Sequence, residues 1–155
     1  MQEKSSISKS TWWGWCLYDW ANSAFATVIL ASLLPVYLEH IVPEAGASVP
    51  IFQEPISASV LWSYTVACSM FFVLTIAPYL GSLADKRGSH VYFLMFFCLV
   101  GASATCLLYL AQTGDYLYAA TIFILANFCF ATANIFYNAF LPILAREREI
   151  DRLSA

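Results

Sequence analysis

The sequence predicts an all-α, polytopic membrane protein, and three observations carry that prediction. Hydrophobic residues make up 61% of the 155 positions and charged residues 11%, whereas a soluble domain carries roughly 25% charge. Mean hydropathy is +0.69, so the few charges present are too sparse to coat a water-facing surface. Four apolar stretches reach the length of about 20 residues that a membrane-crossing helix requires. They lack the period-2 alternation of barrel strands.

The elements follow in chain order. Residues 1–11 form a polar tail, and the first span covers about 12–38. A Pro/Glu/Gly connection over 39–57 leads to the second span, about 58–80, which Pro78 is expected to kink near its end. A charged stub at 83–90 precedes the third span, about 91–111. The turn Gln112, Thr113, Gly114, Asp115 then opens the fourth, about 116–141, and residues 142–155 read as a charged linker. A cleaved leader is the competing reading of the N-terminus, through Lys4, Lys9 and the small-x-small stretch Ala24, Phe25, Ala26. Asp19 and Asn22 interrupt any leader core, and the apolar run continues past Ala26.

Charge sets the orientation. Lys4 and Lys9 precede span one, Lys86 and Arg87 sit between spans two and three, and Arg146, Arg148 and Arg152 follow span four. The opposite connections hold Glu39, Glu44, Glu54 and Asp115 instead. Basic residues collect on the cytoplasmic side, so both termini are expected there. Trp12, Trp13, Trp15, Tyr79, Tyr92 and Tyr137 fall toward that side, and Tyr37, Trp62, Tyr109, Tyr116 and Tyr118 toward the other, as interfacial aromatic belts would.

The same inventory narrows the chemistry. Net charge is −3, and no basic stripe suited to nucleic acid is present. Cys16, Cys68, Cys98, Cys106 and Cys129 stand singly in apolar runs, and His40 and His90 lie in opposite connections. Neither a metal site, a cofactor site nor a nucleophile–base set assembles from these residues, so an enzyme is not expected.

Polar groups at membrane depth carry the functional reading. A charge there is unfavourable by about 2.5–3.5 kcal/mol on insertion scales and usually faces a bundle interior or a cavity. Asp19 lies roughly 10 Å along the helix from Trp12, with Asn22, Ser23 and Ala26 on the same face. It is either a proton acceptor or contact for a cationic substrate group, or a buried hydrogen-bonding residue that fixes packing. Asn127, Asn134 and Asn138 fall within about 40° of one another on span four, with Ala131 between them. They line a cavity or bond neighbouring helices through their amides. Span three has no amide or charge and reads as peripheral; the hydroxyls of span two can bond their own backbone.

The connection after span two carries Gly81, Asp85, Lys86, Arg87 and Gly88. It resembles the G-x-x-x-D-[RK]-x-G signature between helices two and three of major facilitator superfamily transporters. Gly81 would permit close helix approach, Gly88 a turn with positive φ, and Asp85 hydrogen bonds from a helix N-terminus. Ser89 and His90 stand where that family usually carries Arg or Lys. The stretch Tyr18, Asp19, Trp20, Ala21, Asn22, Ser23, with Tyr137, Asn138, Leu141 and Pro142, is similar to the autophagy-related vacuolar effluxer branch.

The resemblance implies helices one to four of a twelve-helix transporter that moves a small polar solute by alternating access. Amino acids are among the solutes that the fungal members imply. Helices one and four would flank the central cavity, with Asp19 and Asn22, Asn127, Asn134 and Asn138 as the site for substrate or a coupling proton. The membrane would be the cell (inner) membrane or a vacuolar one, and the partners would be lipid, the small solute and a missing C-terminal portion that Asp85 would touch. The chain is accordingly expected to be the N-terminal part of a longer protein. The alternatives are a small four-helix multidrug exporter working as a dimer and a non-transporting subunit of a membrane complex.

Overall fold

The computed structural model describes residues 9–153, excluding the side chains of residues 9–12, 15, 87 and 140–153. Among the described residues helix predominates and no strand is formed, and four helices are long and apolar enough to cross a membrane: Cys16–Ile41, Ala58–Lys86, His90–Leu110 and Tyr116–Ala139.

Span one is built in three pieces: α1 (Lys9–Ala24), a π-helical segment (Phe25–Leu33) and α2 (Leu34–Ile41). Pro35 supplies a reason for the middle piece. Proline has no N–H and its ring collides with the carbonyl four residues back, so a wider turn upstream relieves the clash. The backbone N–H of Leu34 accordingly donates to the carbonyl of Ile29, five residues away. Beyond the proline the helix is regular again and buries Leu34, Leu38 and Ile41.

The second span, α3 (Ala58–Arg87), starts at Ser57, whose side chain accepts from the Val60 N–H. It runs through Pro78 and on through the stretch expected as a charged stub. Residues 83–87 are therefore the last turn of this helix, because nothing between Pro78 and Gly88 breaks it. Gly88 does, at φ 58; its N–H bonds Asp85 and that of Ser89 returns to Ala84. A side chain in this left-handed conformation costs about 1–2 kcal/mol. Gly88→Val is expected to lower unfolding free energy by that amount, readable in detergent as a lower melting midpoint; an unchanged midpoint would contradict the turn.

The third span, α4 (His90–Leu107), tightens into a 3-10 turn at Leu108–Leu110. The fourth, α5 (Tyr116–Leu153), continues as helix through the segment expected as a linker. It is the most buried of the four spans and lies between α3 and α4. Against α4 the approach is close at Gly101, where a Cβ would fall 3.1 Å from Cys129 Cβ. Phe97, Ala133 and Phe136 continue that contact toward Ala84.

The far end is pinned by a compact connection. Ala47 and Ile56 exchange backbone hydrogen bonds of 2.8 and 3.0 Å. Leu38, Ile41, Leu61, Ala111 and Ala119 close over Ala47. Three tyrosines read as belt residues work here as clasps. Tyr37 donates to the Ala111 carbonyl at 2.7 Å, Tyr118 to Leu107 at 3.1 Å, and the Tyr116 hydroxyl accepts from the Ser48 N–H at 3.1 Å.

Candidate functional site

Span one meets α5 through a regular antiparallel seam of side chains. The Tyr137 hydroxyl donates to Asp19 Oδ1 at 3.2 Å. One turn along, Asn22 Nδ2 donates to Asn134 Oδ1 at 2.6 Å. The rings of Phe25 and Phe130 follow at 4.6 Å, and the Tyr18 ring packs at a tilt of 32° against Tyr137 at 4.8 Å. The spacing has a simple origin: antiparallel helices present successive partners at i+3 or i+4 on one side and i−3 or i−4 on the other. Asp19 itself remains exposed, and Asn138, one turn beyond Asn134, is exposed as well. The seam therefore presents a carboxylate at an open face, held by a phenol one turn from an amide pair.

Tyr137 is the residue sequence reasoning misplaced. It was expected at the interface as a belt aromatic, yet it is 6% exposed and holds the Asp19 carboxylate. Its signals in the sequence are adjacency to Asn138 on the polar stripe and its place in the motif shared with the effluxer branch, neither of which names Asp19 as its partner. Asp19 lies within the first turn of the apolar window that begins at Cys16.

Asn127 does not join this group. It is fully buried, and its Nδ2 donates to Ser69 Oγ of α3 at 2.7 Å. This is the interhelical amide bond rather than cavity lining: the stripe points toward α3 at the level of Asn127 and toward span one at the level of Asn134. Interhelical hydrogen bonds in membranes contribute about 0.6–2 kcal/mol. Ser69→Ala is expected to destabilise the chain by that amount in a thermal melt, and the pair Ser69→Ala/Asn127→Leu to recover most of it. Additive losses in the double variant would exclude the bond.

The connection motif is arranged around Asp85. Its Oδ1 lies 3.0 Å from Nε2 of His90, the first residue of α4. His90 thus occupies the position of a basic partner across the turn, and its ring approaches Phe136 at 6.3 Å. Lys86 is exposed, and the Arg87 side chain lies outside the described residues. Gly81 makes no close approach to another helix, since a Cβ there would meet nothing within 4 Å; three residues on, Ala84 is fully buried. Among the described residues no group of three or more His, Cys, Asp or Glu is placed to hold a metal ion.

These features define a class: a polytopic helical membrane protein with a carboxylate held at an open face between its first and fourth spans. The family follows from comparison of the whole chain. Residues 7–154 match the family described as "Vacuole effluxer Atg22 like", and the chain belongs to that family. It is 30% identical over 141 residues to the "Uncharacterized MFS-type transporter YxiO" of Bacillus subtilis (strain 168), an alignment covering 91% of this chain and 32% of that protein. It is 26% identical over 183 aligned positions to "Autophagy-related protein 22" of Coccidioides immitis (strain RS), covering 94% of this chain and 30% of the relative. "Autophagy-related protein 22-1" of Aspergillus fumigatus is 24% identical, with 90% of this chain and 30% of the relative covered. The chain spans about a third of the length of these relatives. No solved structure matches it.

Proposed function

We propose that the chain supplies the first four spans of a secondary transporter that moves a small polar solute across a membrane by alternating access. The observation that carries this reading is the Asp19 carboxylate, exposed on span one and gripped by Tyr137 of span four, one turn from the Asn22–Asn134 pair. A carboxylate within an apolar span is energetically unfavourable unless it faces protein or water. Here its open side is free to take a proton or a substrate ammonium. Asn22, Asn134 and Asn138 supply amide donors and acceptors that orient the polar groups of the solute. Amino acids carry both an ammonium and a hydrogen-bonding carboxylate, and the family is described as vacuole effluxer-like. They are therefore the solute class to try first.

The charge distribution supports cytoplasmic termini in a cell (inner) or vacuolar membrane. The test is flux of labelled amino acids in vesicles containing the protein as its gene encodes it, with and without an imposed proton gradient. The reading expects saturable flux that responds to the gradient. Absence of flux for every small polar solute, with the protein present and folded, would overturn it.

A further inference from the structure

Span one and α4, the first and third of successive spans, run in the same direction with α5 behind them, and a groove lies between them. Its floor is Gly101, Ala126 and Ala133, all buried, and its rim is Ala24, Val28, Ala102 and Cys106, all exposed. The groove holds ≈ 490 Å³ and runs from Tyr18 to Ile29 on one wall and from Phe97 to Cys106 on the other. At 1.5 Å per residue that is about 14–16 Å, half of the roughly 30 Å hydrocarbon thickness. The lining is mostly apolar, and two of its polar side chains are already engaged. Asn22 donates to Asn134, and Thr105 donates to the Gly101 carbonyl. Tyr18, Ala21 and Phe25 of the lining lie roughly 100–160° around span one from Asp19, so the groove faces away from the carboxylate.

We propose that this groove seats one acyl chain of an anionic phospholipid, with the headgroup at the groove's basic end. Size selects the chain. A further helix, about 10 Å across, would need roughly 1,000 Å³ or more over this length, so it could cover the groove but not enter it. Left empty, the lining would forfeit its dispersion contacts. Charge selects the headgroup, because lipid tails are as apolar as the lining and apolarity alone distinguishes nothing. Lys86 and Arg87 end α3 just before α4 begins at His90, and Lys9 opens α1. His90 and Lys9 stand about 10–14 Å ahead of Phe97 and Tyr18 along their own helices, which sets the basic residues at headgroup depth. Basic residues there attract anionic headgroups. The connections beyond the other end of the groove carry Glu39, Glu44, Glu54 and Asp115 instead, which repel them.

The test is photolabelling of the protein as its gene encodes it, in phosphatidylcholine vesicles doped with a phosphatidylglycerol probe that carries a diazirine at mid-chain. Adducts located by mass spectrometry are expected to concentrate at Ala24, Val28, Ala102 and Cys106, over the equally accessible Leu74, Phe96 and Leu99. Groove labelling is expected to exceed that by the matching phosphatidylcholine probe by at least roughly fivefold, the fold-change that one basic residue beside an anionic headgroup supplies. Lys86→Gln with Arg87→Gln should remove most of that preference. Ala102→Trp, at an exposed rim position, should clear the groove of adducts and leave those at Leu74 in place. Adducts spread evenly over the exposed apolar residues would show ordinary lipid contact and overturn the proposal. Equal groove labelling by the two probes would overturn the anionic headgroup. A groove without adducts, beside labelled Leu74 and Leu99, would show that protein covers it and would overturn the proposal as well. Labelling requires no flux, so the result stands apart from the transporter reading.

Discussion

Under the proposed transporter reading, Asp19→Asn is expected to lower solute flux by at least roughly tenfold at saturating solute, equivalent to about 1.4 kcal/mol in the limiting barrier. The substitution is nearly isosteric and keeps an oxygen to accept from Tyr137, so the seam retains its hydrogen bond. It removes the negative charge and the capacity to bind a proton. Loss of flux with an unchanged melting midpoint would therefore locate the effect in the charge. Tyr137→Phe is expected to fall between wild type and Asp19→Asn, because it frees the carboxylate to rotate without neutralising it. Should Asp19→Asn carry solute at the wild-type rate, Asp19 would be a packing residue and the site would lie elsewhere.

Gly101→Leu has the largest expected effect on folding. The α4–α5 approach leaves no room for a side chain at this position: even a Cβ would sit 3.1 Å from Cys129 Cβ, with the Ala126 carbonyl at 3.7 Å. Without a hydrophobic drive between lipid-solvated helices, close packing at small residues is a main source of association. Overfilling such a contact costs about 1–3 kcal/mol, and here the backbones themselves must part. The stack of Phe93, Phe97 and Phe136 next to it would be disturbed with them. The expected result is a lowered melting midpoint in detergent and faster proteolysis at the α4–α5 turn. Gly101→Ala should be milder, and partly relieved by Cys129→Gly, which removes the atom it strikes. A wild-type midpoint for Gly101→Leu would mean the two helices are not in this contact.

The spans were legible because length and hydropathy decide whether a segment crosses a membrane, and neither depends on partners. Apolar helices begin at Ala58 and Tyr116 and run on to Arg87 and Leu153. Helix ends were less legible: composition marks where charge begins, whereas α3 ends only where Gly88 adopts a left-handed turn. The polar stripe on span four was visible as a direction, but periodicity does not say which neighbour faces that direction at each depth. Asn127 consequently meets Ser69 while Asn134 meets Asn22. The π-helical step had a signal in Pro35, yet proline alone does not say whether a helix kinks, breaks or widens. Tyr137 carried no mark separating a carboxylate partner from an interfacial aromatic.

Flux measured against pH, side by side for wild type and Asp19→Asn, tests the central claim most directly. The range is about pH 4 to 8, over which carboxylates and histidines titrate. If Asp19 is the group that takes the coupling proton or the substrate ammonium, wild-type flux varies with pH, and in Asp19→Asn that variation is flattened. Two curves of the same shape and height would contradict the assignment of the site to Asp19.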